Sequence, residues 1–348
     1  MILGMLTQRR PGEIRASSQL AGVYTLLDAA ALATTTQLDL SDESTAPDFI
    51  AVSFYKIFGF PDLGGLIIRK NSAHVFQHRR YFGGGTVDMV IAIDGTWHAR
   101  KEHSLHDRLE DGTLPFHSII ALGHAIETHK KLFGSMQSIS QHTAWLVKQL
   151  YDGMTTLRHK NGNAVARIHN DAETVYGNPK RQGATIAFSV LLPDGSAVGY
   201  INVEQQADSH GIYVRSGSLC NPGGMATYLS WTPAQMKAVY DAGHRCSRPM
   251  QLVQGKTTGV VRVSLGAMST LSDVQIFLRF LQEEYVEDSR NGVEDADLME
   301  ESALSATGTQ PETVLEKTRL RKMESLKEWA IRVTHKVCLL YTSPSPRD

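Results

Sequence analysis

Three short runs, Val23–Leu27, Phe49–Phe54 and Leu66–Ile68, are mostly apolar and show little polar alternation. No other feature narrows the fold as much. A strand with one wet face alternates in polarity and a strand covered on both faces does not, so the runs predict strands of an α/β sheet covered by helices. The turn-rich stretch "GFPDLGG" separates the second run from the third and predicts a tight return. Asp28 ends the first run before a series of small residues, the pattern of a strand that stops where backbone must approach something.

Farther along, Ile119, Ile120, Leu122, Ile126, Leu132 and Phe133 recur at helical spacing, with Gly134 as a stop. A second helix is expected from Met136 to Tyr151, with Ile139, Trp145 and Leu150 on its inner side. Thr185–Leu192, Gly199–Val203, Gly211–Val214 and Gly259–Leu265 have the character of short strands, and "TPAQMKAVYDAGHRC" and "TLSDVQIFLRFLQEEY" that of helices. The expected organisation is a partial large α/β domain over 1–115, connecting helices over 116–155, a smaller α+β domain over 156–288 and a disordered linker or tail over 289–348. Residues 283–302 hold nine acidic side chains against one arginine, which marks the start of that solvated tail.

The chain has 348 residues, 42% of them hydrophobic and 20% charged, with a formal net charge of −1. That balance gives no electrostatic reason to expect nucleic acid or an acidic membrane surface as a partner. No apolar run reaches the ~18 residues of a membrane span, and the N-terminal apolar stretch is too short for a secretory signal, so a cytoplasmic protein is expected. Cys220, Cys246 and Cys338 are odd in number and lack CxxC spacing, which argues against a disulfide framework or a zinc knuckle. Histidines 74, 78, 98, 103, 106 and 117 show no metal-ligand spacing on one predicted helix.

Lys56 stands just after the second predicted strand. A lysine there is ordinarily a solvated charge. At the C-terminal edge of a buried sheet, where α/β proteins hold ligands, it would instead be shielded from water, and a neutral amine could attack an aldehyde. Pyridoxal phosphate is the aldehyde cofactor with that requirement, together with a carboxylate for its ring nitrogen and donors for its phosphate. Asp28 is the candidate carboxylate, although Asp at a strand end also serves turns and caps. Ser53 and Tyr55 offer hydroxyls to the phosphate.

The segment "LLDAAALATTTQLDL…PDFIAVSFYKIFGFPDLGGLIIRK" resembles the cofactor-lysine segment of the class V aminotransferase and cysteine desulfurase superfamily, and within it the molybdenum cofactor sulfurases. "YFGGGTVDMV", "LHDRLEDGTLPFHSIIALGHAIE", "VRSGSLCNPGG", "AGHRC" and "TTGVVRVSLGAMSTLSDVQIFLRFL" follow in the family's order, over about residues 22–286. The resemblance implies the fold of type I pyridoxal-phosphate transferases: a large domain with a mainly parallel sheet and a smaller C-terminal α+β domain. It makes Lys56 the Schiff-base lysine, Asp28 the pyridinium partner and Ser53 with Tyr55 phosphate contacts. Gly112 and Thr113 would reach the phosphate of the other subunit of a homodimer. Arg262 would clamp the carboxylate of L-cysteine, which a planar bidentate fork suits. Cys220, with Arg215 nearby and a Gly/Pro-rich loop free to swing, would receive the sulfur as a persulfide; a cationic neighbour raises the thiolate fraction. The sulfur would pass to the molybdenum cofactor and activate molybdoenzymes such as xanthine dehydrogenase and aldehyde oxidase. Cys246 and Cys338 would have no role.

The same resemblance places a ring-stacking histidine, a phosphate-binding loop and a C-terminal molybdenum-cofactor-binding module outside what this sequence contains. The expectation is a fragment with exposed apolar edges that binds the cofactor poorly by itself. Two alternatives remain at this point: an aminotransferase or lyase of the superfamily without a cysteine nucleophile, and a non-catalytic remnant acting as a protein-interaction scaffold.

Overall fold

The computed structural model describes residues 23–245 and 247–286. The expectations for the first residues, Cys246, Cys338 and the tail over 289–348 lie outside the described residues.

The N-terminal sheet contains β1 (Leu26–Asp28), β2 (Phe49–Ser53) and β3 (Gly64–Ile68) in that order. β1 runs parallel to β2 with Asp28 opposite Ala51, whereas β3 is antiparallel to β2 with Ser53 opposite Gly64. The described sheet is therefore mixed rather than mainly parallel. The link from β2 to β3 is too short for the crossover of a dozen or more residues that a parallel neighbour requires. That link opens with one helical turn, α1 (Phe54–Phe58), closed by Gly59 in a left-handed conformation with its N–H on Tyr55 O. Buried Asp48 fastens the strand starts: it accepts from Thr25 N at 2.9 Å, Thr25 Oγ1 at 2.9 Å and Ser72 Oγ at 2.6 Å.

Burial on both faces, expected of all three apolar runs, holds for most of β2 and fails for β3. Leu66 is 48% and Ile67 43% exposed, and Leu26 on β1 is 45% exposed. Beyond β3, a hairpin of β4 (Val87–Ile91) and β5 (Trp97–Arg100) leads through α2 (Leu105–Leu109) to the long helices α3 (Phe116–Phe133) and α4 (Met136–Thr156). The helical period of α3 is correct, but none of its residues is buried. In α4, Ile139 and Leu150 are buried as expected and Trp145 is half exposed. Leu146, seven residues after Ile139 and four before Leu150, takes the inner position instead.

A second, wholly antiparallel sheet follows: β6 (Ala166–Ile168), β7 (Thr185–Val190), β8 (Arg215–Gly217) and β11 (Val260–Ser264), in the order β6-β7-β11-β8. Leu146, Val147, Leu150 and Met154 of α4, Val203 and Ala207 of α5 (Tyr200–Ser209), and Phe277 and Leu281 of α8 (Leu271–Tyr285) pack with Ile186, Phe188 and Val261 of this sheet in one core. Gly199–Val203 is helical rather than extended, because Tyr200, Val203 and Ala207 bury one helical face that a short window misses. Gly211–Val214 forms no strand: Ile212 N–H bonds back to Ala207 O and closes α5, and the extended segment starts at Arg215. Helix α6 (Pro222–Tyr228) follows β8, then α7 (Pro233–Asp241) and a small hairpin of β9 (Leu252–Val253) and β10 (Lys256–Thr257). Reciprocal capping boxes, Thr232 with Gln235 and Thr270 with Asp273, start α7 and α8.

Gly259 lets β8 approach β11. A Cβ built there would lie 2.7 Å from the Cα of Gly217 and 2.9 Å from the Tyr200 ring, and backbone cannot yield as a side chain can. Gly259→Ala is expected to lower unfolding free energy by about 1–3 kcal/mol, the usual cost of overpacking, measured by urea denaturation.

Candidate functional site

The residues singled out in the sequence fall into three groups. The first lies at the C-terminal edge of the parallel pair β1–β2. Asp28 ends β1, Ser53 ends β2, and Tyr55 and Lys56 sit in the helical turn directly after it. Phe54 and Ile57 pack into the small core formed by Ala29, Ala33, Ile50 and Val52. These two anchors are one helical step apart, so Tyr55 and Lys56 between them must face outward. Lys56 is consequently exposed, not shielded from water as expected. Its Nζ lies 5.9 Å from the Tyr55 ring centroid and makes no hydrogen bond or ion pair among the described residues.

Asp28 Oδ1 accepts the N–H of Ala30 at 3.0 Å, the turn-forming role common for Asp at a strand end, and its second carboxylate oxygen has no partner among the described residues. The Ser53 side chain makes no capping bond. An unpaired amine, an unpaired carboxylate oxygen and two hydroxyls at one sheet edge form a donor set that fits the aldehyde, ring nitrogen and phosphate of pyridoxal phosphate. Close glycine packing holds the edge in place. A Cβ at Gly64 would be 3.0 Å from Val52 O, and one at Gly65 3.1 Å from the Phe54 ring that orients the Lys56 turn.

The second group is the loop carrying Gly112 and Thr113, both exposed. Gly112 has φ +73°, and Gly85 of the GGGT turn lies so close that a Cβ there would be 3.1 Å from Gly112 O. Arg79, which the sequence reasoning missed, organises this loop. It donates to both oxygens of Asp111 at 2.6 and 2.7 Å and to the backbone oxygens of Arg108 and Leu109 at 3.1 and 3.3 Å. Nothing in "HRRYFGGG" distinguishes Arg79 from its neighbour Arg80 before the fold is seen.

The third group is on the second sheet. Arg215 of β8 and Arg262 of β11 are directly opposite in the antiparallel register. Arg215 Nη2 donates to Cys220 Sγ at 3.1 Å, and the Cys220 thiol is exposed. Arg262 lies on an inner strand, half-buried rather than at a solvated edge, and its Nε is buried without a partner. Burial first and the Arg215 charge second lower the Arg262 pKa from its ordinary value, with Cys220 opposing them. A buried unpaired guanidinium N–H calls for an anionic acceptor. Ser216, the residue after Arg215 on β8 and opposite Val261, donates to Glu204 Oε2 of α5 at 2.5 Å and fixes the strand to that helix. Among the described residues no hydrogen bond or ion pair joins this group to the Lys56 group.

Residues 7–277 match the family described as Aminotransferase class-V, and the fold is that of the type I pyridoxal-phosphate class. The chain belongs to the class V aminotransferase family. Over 280 residues it is 52% identical to a molybdenum cofactor sulfurase of Aspergillus niger, covering 80% of this chain and 34% of that protein. With a molybdenum cofactor sulfurase of Neurospora crassa it shares 51% identity over 267 residues, 76% of this chain and 28% of that protein. The chain thus spans about a third of the length of these curated relatives. Among solved structures it is similar in fold to the apo cysteine desulfurase of Thermococcus onnurineus, with a TM-score of 0.55, 22% identity and coverage of 78% of this chain and 55% of that one. The cysteine desulfurase CsdA of Escherichia coli gives a TM-score of 0.53 at 18% identity, covering 78% and 54%.

Replacing Arg79 by Lys keeps one charge and removes the fork. Amide hydrogen exchange at residues 108–113 is expected to accelerate by about tenfold, as for loss of a charge-assisted hydrogen bond, with exchange in β7 unchanged.

Proposed function

We propose that the chain carries the cysteine desulfurase portion of a molybdenum cofactor sulfurase. The observation that supports this most is the Cys220 thiol held by Arg215 beside Arg262, whose buried Nε lacks an acceptor. A thiol in the link just after β8 and an anion-seeking guanidinium on the neighbouring strand β11 suit an amino-acid substrate that presents a carboxylate and gives up a sulfur atom. An aminotransferase without a cysteine nucleophile has no use for the first of these.

In this reading Arg262 holds the carboxylate of L-cysteine, with Arg215 strengthening the local positive field. Lys56 holds the cofactor covalently and carries protons at its Nζ. Asp28 keeps the ring nitrogen protonated through its free oxygen, and Ser53 and Tyr55 bind the phosphate. Gly112 and Thr113, braced by Arg79, serve the phosphate site of a partner subunit in a homodimer. Bound pyridoxal phosphate supplies an electron sink that allows the carbon–sulfur bond of L-cysteine to break. Cys220 Sγ forms a bond to the departing sulfur, and the products are alanine and a persulfide on Cys220. The molybdenum cofactor is the proposed sulfur acceptor, in line with the sulfurases the chain resembles, for use by enzymes of the xanthine dehydrogenase and aldehyde oxidase type.

A free reactive thiol suits a reducing compartment, the cytoplasm in this proposal. No helix of the described residues is long and apolar enough to cross a membrane. We also propose the division into a partial large domain over 1–115, connecting helices over 116–155, a small domain over 156–288 and a tail over 289–348, with α4 contributing to the small-domain core.

Incubation with pyridoxal phosphate and L-cysteine is expected to give alanine together with one added sulfur atom on the Cys220 peptide by mass spectrometry. Because Lys56 is exposed, the cofactor is expected to bind weakly, so a saturating concentration is used. Cys220→Ser should lose the added sulfur and reduce alanine release at least ~100-fold, as for removal of a nucleophile. Lys56→Ala should abolish both, while leaving the melting temperature within about 1 °C because the side chain packs against nothing buried. Undiminished alanine release by Cys220→Ser would rule out the carrier role.

A further inference from the structure

The segment bearing Cys220 is shorter and more firmly held than its Gly/Pro-rich sequence implies. β8 ends at Gly217, where it is still paired with Val260, and α6 begins at Pro222. Four residues, 218–221, are left to move, and local bonds restrain even these. Asn221 N donates to Ser218 O at 2.9 Å, and Asn221 Oδ1 accepts from Gly224 N at 3.0 Å. Leu219 and Cys220 have φ of +56° and +57°, the left-handed region that non-glycine residues rarely occupy without support.

The far end of α6 supplies support from outside the loop. Tyr228, its last residue, donates its hydroxyl to Asp171 Oδ1 at 2.8 Å in the segment after β6. Just beyond, Trp231 Nε1 donates to Thr257 O at 2.7 Å, and Lys256 Nζ to Ser230 O at 2.7 Å. Trp231 and Lys256 tie the chain after the helix to the β9–β10 hairpin, whereas Tyr228 ties the helix itself to the side of the sheet remote from Arg215: β6 and β8 are the opposite edges. The Tyr228–Asp171 bond is therefore the restraint that sets where the start of α6 lies relative to the sheet's other edge.

We propose that Tyr228 is a positioning residue for Cys220: its bond to Asp171 sets α6 so that the thiol stays at Arg215, and sulfur is handed over at that place rather than carried away by a swinging loop. With both ends fixed, a four-residue link cannot take its tip far, since even an extended chain advances only about 3.3–3.6 Å per residue. The sulfur acceptor must then come to this face of the protein. The proposal rests on the reading of Cys220 as the sulfur carrier, but its test uses the chemistry of the thiol and requires neither cofactor nor turnover.

Alkylation of Cys220 is followed peptide by peptide with iodoacetate and with neutral iodoacetamide. Both reagents need the same thiolate, so the ratio of their rates reports the positive field at the sulfur and cancels the thiolate fraction. Arg215→Ala should lower the ratio. Tyr228→Phe, which keeps the ring and loses only the hydroxyl, should lower it by about threefold, the scale of one lost hydrogen bond. In the Arg215→Ala background it should have no further effect. Asp171→Ala should reproduce the loss, and Asp171→Asn, which retains an acceptor oxygen, should restore the wild-type ratio. A general loosening of the domain would lower the melting temperature without this dependence on Arg215. An unchanged ratio in folded Tyr228→Phe and Asp171→Ala, or an equal drop with and without Arg215, overturns the proposal. Failure of persulfide formation with the ratio behaving as expected would count against the desulfurase reading alone.

Discussion

Two positive charges directly opposite each other on adjacent antiparallel strands are unfavourable, and yet Arg215 and Arg262 stand in that relation at the centre of the candidate site. Much of the second sheet makes sense as the means of enforcing it. Gly259 lets the backbones of β8 and β11 come so close that a Cβ there would lie 2.7 Å from the Cα of Gly217, and Gly217 itself takes a left-handed φ of +95°. Ser216, next to Arg215, is bonded to Glu204 of α5, which ties the strand to that helix. Cys220 accepts from one guanidinium, and the buried Nε of the other is left unsatisfied. An arrangement that costs stability and leaves a strong donor unpaired persists when the rest of the fold over-determines it, and such places are where ligands bind.

The Lys56 edge follows a different logic, set by local packing rather than long-range register. Phe54 and Ile57 enter a core of small residues, and Gly64 and Gly65 allow β3 to lie against that turn. The outward direction of Lys56 is a consequence of which neighbours are apolar. Its solvation and the half-burial of Arg262 make the two arms of the site physically unlike: one is an open, hydrated amine and the other a desolvated cation in search of an anion. An anion of any kind gains more from a charge at the second arm, where water competes least.

Period and order were legible in the sequence wherever a pattern ran long enough. Both long helices, the strands β7 and β11 and the helix α8 fall where their apolar spacing predicts. The errors arise from burial and from short windows. Trp145 and, in α3, Ile119, Ile120, Ile126 and Leu132 have the spacing of inner positions and remain exposed, because periodicity defines a face without saying what covers it. Gly199–Val203 is too short to separate a strand from the first turn of α5. The tight return read from the short β2–β3 link is present as an antiparallel pairing, which makes the described sheet mixed.

For the site, residue types with distinctive chemistry in distinctive local sequence could be found: Lys56 after β2, Cys220 before an Asn-Pro helix start, and Arg262 within an apolar strand. The residues that hold them could not. Arg79 is separated from Asp111 by 32 positions and Tyr228 from Asp171 by 57, and each is an ordinary residue until the fold supplies its partner. Local sequence also misjudged mobility. Glycine and proline around Cys220 suggest freedom, but Gly217 ends a paired strand, Pro222 occupies the first helical position and Gly224 packs against the Asn221 cap. In this setting they suit a tight turn rather than a loose one: Gly217 takes a φ of +95°, Pro222 is preset for the first helical position and Gly224 leaves room for the Asn221 cap.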